Sequence, residues 1–181
     1  MVFSVYAAGR GPREAYAVLD LPATPYEIED ALEKVRLQPD EELLLEIEEY
    51  YDFGFLAPYL EDVNDLHGLN ALAQRLSQFV DYESAVFAGQ LKMDLEARIS
   101  DITLPRLLSL ANNTPYCDVV DVAVNDSQLG KFYAENGFVT ELEQLPDEAF
   151  KIIEDMLDYE QIGRKMRQAE GGVFVDRSTY G

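Results

Sequence analysis

Thirty-five acidic side chains against fourteen basic ones, a formal net charge of -21 over 181 residues, decide most of what this chain can fold into. Two unit charges about 10 Å apart in water repel by roughly 0.4 kcal/mol before salt screening. Summed over the surplus, the repulsion is several kcal/mol, a large share of a typical stability of ~5–15 kcal/mol. Such a fold must keep its carboxylates outside and spaced, and bury enough apolar surface to outweigh them. The means are present. Hydrophobic residues make up 48% of the chain, with 11 Tyr and 9 Phe, which is not the composition of a disordered acidic tail. The length suffices for a real core, in one unit or in a string of small subdomains.

The sign of the charge also sorts partners. Nucleic-acid binding needs clustered Lys and Arg to neutralise phosphates, and an anionic membrane surface repels an acidic protein, so neither is expected here. Cations and proteins with basic surfaces are the natural partners. The single Cys excludes a disulfide framework and a CxxC metal site, and the single His excludes HExxH chemistry and any two-His ligand set. No apolar run approaches the ~20 residues of a membrane span. Met1-Val2-Phe3-Ser4-Val5-Tyr6 lacks the basic and long apolar regions of a signal peptide, so a cytoplasmic protein is expected.

Local patterns read as follows. Phe3–Tyr6 alternates as a strand, Gly9-Arg10-Gly11-Pro12 is a turn, and Ala15–Leu19 is the returning strand. Thr24-Pro25-Tyr26-Glu27 is a helix start, with Thr24 as N-cap, Pro25 at the first helical position and Glu27 closing a capping box. Ile28, Leu32 and Val35 follow at helical spacing, and Leu43–Ile47 is a third strand, giving a ββαβ module over residues 1–62. Leu66, Leu69, Leu72, Ala73 and Leu76 make one helical face behind a candidate cap at Asp65. Tyr82, Val86, Leu91 and Met93 suggest a second helix beyond Asp81, completing a helical section over 63–103. The section 104–181 opens on a short helix with Leu107, Leu108 and Leu110. Val119, Val120, Val122 and Val124 favour a strand, and helices are expected over 127–135, 145–157 and 159–169, the last stopped by Gly171-Gly172. Val173-Phe174-Val175 reads as a closing strand. The expected fold class is α+β, in three small subdomains with boundaries near 62 and 103.

No catalytic motif survives inspection. Gly9-x-Gly11-x-x-Glu14 follows a strand but ends on Glu and opens no long helix, so it reads as a hairpin turn rather than a dinucleotide site. No GxxxxGK[ST] and no GxSxG occur, and no EF-hand pattern fits. His67 reads as a capping or surface residue at a helix start, and Cys117 as a buried structural thiol. Glu41-Glu42 and Glu48-Glu49 read as solvated faces rather than acid–base pairs or metal ligands. Arg164, Lys165 and Arg167, the one basic cluster, suit a helix C-terminus and read as internal partners of acids. No cofactor, no metal and no enzymatic activity are expected.

The acids themselves are unevenly placed. Residues 26–62 hold 13 acids against Lys34 and Arg36, and residues 135–160 hold nine against Lys151. Duplex DNA carries about one negative charge per 1.7 Å, so a surplus of 21 matches roughly 36 Å of duplex. Carboxylates fixed on helices and strands at such a pitch would give a DNA-binding cleft a substitute ligand.

The C-terminal half carries a series of segments: Leu107-Leu108-Ser109-Leu110, Tyr116-Cys117-Asp118-Val119, Asn125-Asp126-Ser127-Gln128-Leu129-Gly130-Lys131-Phe132-Tyr133, Leu157-Asp158-Tyr159-Glu160-Gln161-Ile162-Gly163-Arg164, and Glu170-Gly171-Gly172-Val173-Phe174. With Leu69-Asn70-Ala71-Leu72-Ala73, the series resembles the ArdA antirestriction proteins over about residues 66–176. The Asp-Tyr-Glu-x-x-Gly-Arg segment is its most specific part; Val120, Asp121 and Lys165 depart from the family's usual residues. The resemblance implies an elongated three-part homodimer, joined through its C-terminal part, that imitates bent DNA. Such a protein occupies the DNA groove of type I restriction-modification enzymes. The residues expected to imitate phosphates are Glu27, Glu29, Asp30, Glu33, Glu41, Glu42, Glu46, Glu48 and Glu49 in the N-terminal part. In the C-terminal part they are Asp118, Asp121, Asp126, Glu135, Glu141, Glu143, Asp147, Glu148, Glu154, Asp155 and Asp158. Two other readings stand beside it: an acidic interaction module for some other basic protein, and an enzyme with a carboxylate-bound divalent metal.

Overall fold

Thr24 opens the first helix as the sequence requires. Its hydroxyl accepts from the Glu27 amide while the Glu27 carboxylate accepts from the Thr24 amide at 2.8 Å, and Pro25 stands at the first helical position, where no N–H is needed. The computed structural model describes residues 1–9, 15–37, 41–80, 82–99 and 101–175. The expected turn after Gly9 and the break at Asp81 lie outside the described residues. The chain is α+β, and it divides into two compact units, the first ending at Cys117 and the second beginning at Asp118.

The first unit starts with an antiparallel sheet of β1 (Phe3–Gly9), β2 (Tyr16–Leu21) and β3 (Leu43–Glu49) in the order β2-β1-β3. Between β2 and β3 runs α1 (Pro25–Val35). Strand side chains alternate between faces. Phe3, Val5, Ala7, Ala17, Leu21 and Leu45 are buried on the face that receives Ile28, Ala31 and Val35 of α1. The register sets the other face in three rows: Tyr16–Ala8–Leu44, Val18–Tyr6–Glu46 and Asp20–Ser4–Glu49, with a bulge between the last two on β3.

After a 3₁₀ turn (Tyr51–Leu56) and a single turn α2 (Ala57–Leu60), the unit continues with α3 (Leu66–Leu76), α4 (Glu83–Glu96) and α5 (Leu104–Asn113). Asp65 caps α3 by accepting from the Gly68 amide, and Thr103 caps α5 through the Arg106 amide. One hydrophobic core runs from Val2 through Phe53, Leu69, Leu72 and Phe87 to Leu107 and Ala111, across residues 62 and 103 alike. Phe53, Phe55, Phe79 and Phe87 meet with ring centroids 5.7–6.3 Å apart. His67 is exposed at the start of α3, as expected.

The second unit is built on α6 (Asp126–Glu135) and α9 (Tyr159–Glu170), with α7 (Thr140–Glu143), α8 (Asp147–Ile153) and a 3₁₀ turn (Glu154–Met156) between them. Gly171, left-handed at φ 70°, ends α9.

Four expectations fail. Residues 119–124 form no strand: among the described residues no strand pairs with them, the chain turns at Ala123 N–H to Val120 C=O, and Val119, Val122 and Val124 are exposed. β-branched residues favour a pleated surface only where a partner edge exists. Residues 173–175 are likewise not a strand; Phe174 lies under the Arg167 guanidinium, 5.3 Å from ring centroid to carbon. The helix expected over 145–157 is broken, because the residue before a proline avoids the helical region; α8 starts only after Pro146, and its end tightens at Glu154. Cys117 is exposed rather than buried, its sulfur 2.9 Å from the Gln90 amide nitrogen.

Candidate functional site

Two acids that belong to the scaffold separate themselves first. Glu83 and Asp94, on α4, are each 6% exposed. Glu83 accepts from the Arg75 guanidinium, from the Thr114 hydroxyl at 2.5 Å and from the Val80 amide at 3.0 Å. Burial pushes its carboxyl up, but the Thr114, Val80 and Arg75 contacts together outweigh it and the net shift is downward. Asp94 takes both arms of Arg106 at 2.6 Å. A lone charge at either place would be costly, so these pairs hold α3, α4 and α5 in register rather than serve a ligand.

The predicted carboxylates lie elsewhere. Asp30, Glu41, Asp126 and Glu154 are half-buried, and the other sixteen are exposed. On α1, Glu29 and Glu33 face solvent, Asp30 pairs with Lys34 at 2.6 Å, and Glu27 is engaged in the capping box, which lowers its pKa. Glu41 lies against Gly9, and Glu42 and Glu48 are exposed at the two ends of the β3 segment. Glu46 and Glu49 point to the open face of the sheet. There they are joined by Asp20, which the sequence reading passed over; its parity with Tyr16 and Val18, opposite to Ala17 and Leu21, is the signal that places it.

In the second unit, Asp118 and Asp121 are exposed on the segment before α6, Glu141 and Glu143 on α7, and Asp147 and Glu148 in the first turn of α8, where the helix dipole favours anions. Glu154, Glu135 and Asp155 gather around Tyr159. Its phenol is held above the usual range by burial first and by these carboxylates next, while Lys131, 3.6 Å from Glu135, opposes them. Asp158 caps α9 through the Gln161 amide.

Asp126 differs from the rest. Arg167 holds it at 2.8 and 3.1 Å, and Arg164 lies 4.0 Å away. The Arg167 hydrogen bonds keep its carboxyl below the ordinary range. Its charge is neutralised within the unit. The basic cluster at Arg164 and Arg167 is thus an internal partner of acids, Arg164 also bonding Glu160 at 2.5 Å.

The Asp-x-x-x-Gly and Tyr-x-x-x-Gly spacings acquire a physical meaning here. Gly130 and Gly163 lie at the crossing of α6 and α9, where a Cβ on Gly130 would stand 1.9 Å from the Tyr159 carbonyl oxygen and one on Gly163 1.9 Å from that of Asp126. The two main chains touch, and only glycine permits it. Tyr133 donates to Glu170 across the same pair of helices. Its phenol is pushed up to about 12, by burial and then by Glu170.

Among the described residues no group of three His, Cys, Asp or Glu is arranged to hold a metal ion, and no helix is long and apolar enough to cross a membrane. No protein-family model, curated protein or solved structure matches this chain.

Proposed function

We propose that this protein is an antirestriction DNA mimic, a non-catalytic competitor that occupies the DNA groove of type I restriction-modification enzymes. In this reading it acts as an elongated homodimer, with carboxylates taking the Lys and Arg sites that otherwise hold phosphates. The observation that carries it is the division of labour among the acids. Glu83, Asp94 and Asp126 are matched to cations inside the fold, while sixteen of the twenty named carboxylates stand exposed on or beside helices and strands. Anions on a fixed scaffold lose little conformational freedom on binding, and a field of one sign speeds encounter with a basic cleft. The effect is a sum, so no single carboxylate is essential.

The test is a gel-shift competition against DNA for a purified type I methyltransferase. The protein is expected to displace DNA, with an affinity that falls steeply as salt rises. Replacing Glu29, Glu33, Glu46, Glu48 and Glu49 together by Lys is expected to abolish displacement. Undiminished inhibition by that variant defeats the reading. Partner binding that DNA fails to compete away points instead to an acidic module for another basic protein.

A further inference from the structure

A three-stranded antiparallel sheet covered on one side by a helix ordinarily turns polar residues to water on the other. Here the open face is graded. At one end it presents Tyr16 and Val18, 56% and 55% exposed, beside Tyr6, whose ring stacks on that of Tyr16 with centroids 5.2 Å apart and planes at 24°. At the other end it presents Asp20, Glu46 and Glu49. The Tyr51 phenol stands beside two of these carboxylates; burial first, then Asp20 and Glu49, hold its pKa above the ordinary range. The three strands contain no Lys, Arg or His, and among the described residues no cation pairs with Asp20, Glu46 or Glu49.

We propose that this open sheet face is a docking surface for an arginine-bearing segment of a basic protein. Charge selects the occupant. A second copy laid face to face would bring no counter-charge, since the three strands hold no cation, and a nucleic acid would bring phosphates. A cation is required, and the aromatic end selects among cations. A lysine ammonium is satisfied by carboxylates and water, whereas a planar guanidinium also stacks on an aromatic face and forks onto a carboxylate. Tyr6 of the stacked pair is the cross-strand neighbour of Glu46 and Tyr16 lies one row away, so one arginine can use both. Val18 adds apolar contact for the neighbouring residues of the segment. The proposal rests on the reading that the partner is a cationic protein, and narrows it to one face and one side chain.

The experiment is a nuclear magnetic resonance titration of the ¹⁵N-labelled full chain at low salt, with a short Gly-Arg repeat peptide and the matching Gly-Lys peptide. The Arg peptide is expected to bind about threefold tighter or more, with amide shifts clustered on β1, β2 and β3. Asp20→Asn, Glu46→Gln and Glu49→Gln together are expected to weaken it about tenfold. Tyr16→Thr with Val18→Thr is expected to remove the preference for Arg. All these side chains except Tyr6, which is left intact, face solvent, and amide dispersion reports whether each variant is folded; the charge-neutral triple alone suffices if the threonine pair is not. Equal affinity for the two peptides, shifts spread over the acidic helices, or the same amides shifting with protein concentration alone would each overturn the proposal. Methyltransferase competition separates the two levels. If wild type and the charge-neutral triple displace DNA equally, the face is wrong and the mimic stands. If wild type displaces nothing, the mimic falls and the peptide titration still decides the face.

Discussion

A methyl group added at Gly130 would stand 2.7 Å from the Gly163 nitrogen as well as 1.9 Å from the Tyr159 oxygen, and neither is a side chain that can move aside. Gly130→Ala therefore has to force α6 and α9 apart. The expected cost lies at or above the upper end of the ~1–3 kcal/mol usual for overpacking. Urea unfolding together with hydrogen exchange on α6 and α9 measures it; protection of both helices unchanged from wild type would show that the crossing is looser than described. Beside it, Asp126 supplies a pH dependence. Its folded-state pKa is depressed by Arg167, so its contribution to stability is present above the ordinary carboxylate range and is lost as pH falls through the lowered value. Glu83 has the same sign. Unfolding free energies from pH 7 down to pH 3 should fall through this acid range, and Arg167→Ala should make the fall shallower while lowering the plateau near neutrality.

At the scale of elements, the caps are the most direct tests. Thr24→Ala removes the hydroxyl half of the capping box, leaving the Glu27 carboxylate on the backbone amide, and should cost about 1 kcal/mol, read as a lower urea midpoint with an unchanged slope. Glu83→Ala leaves the Arg75 guanidinium inside the first unit without its counter-charge, with only the neutral Ala111 carbonyl and Thr114 hydroxyl as acceptors, and should cost about 3–5 kcal/mol. These two cases also mark what the residue order makes legible. The α1 box, the Asp65 cap and the stop at Gly171 are local, so Thr24, Glu27, Asp65 and Gly171 state them in the sequence itself. The sheet is legible because Phe3, Val5 and Ala7 alternate. Residues 119–124 mislead because a strand is a property of two segments, and Val122 carries no information about whether an edge awaits it. Cys117 misleads for a related reason: its burial depends on which elements enclose the end of α5. Glu83 and Asp94 are invisible as buried acids because Arg75 and Arg106 lie eight and twelve residues away along the chain, beyond any helical spacing. The carboxylate surface, by contrast, is read well from composition, since an acid without an internal cation has to face water.

For the molecule as a whole, a net charge of -21 means that folding concentrates like charges that the open chain keeps further apart. Screening should therefore stabilise it. Between about 10 mM and 0.5 M NaCl, where the Debye length shrinks from ~30 Å to a few ångströms, the melting temperature is expected to rise. A flat or falling curve in calorimetry would mean that the exposed carboxylates are already spaced beyond mutual influence. Salt thus acts oppositely on the two properties, strengthening the fold while weakening the proposed capture of a basic cleft. The glycine crossing gives this arrangement a further freedom. Where main chain meets main chain, the outward positions of both helices are released from holding the helices together. Apart from Asp126 and Glu170, which reach across the crossing to Arg167 and Tyr133, acids at those outward positions can be exchanged while the helices beneath keep their angle.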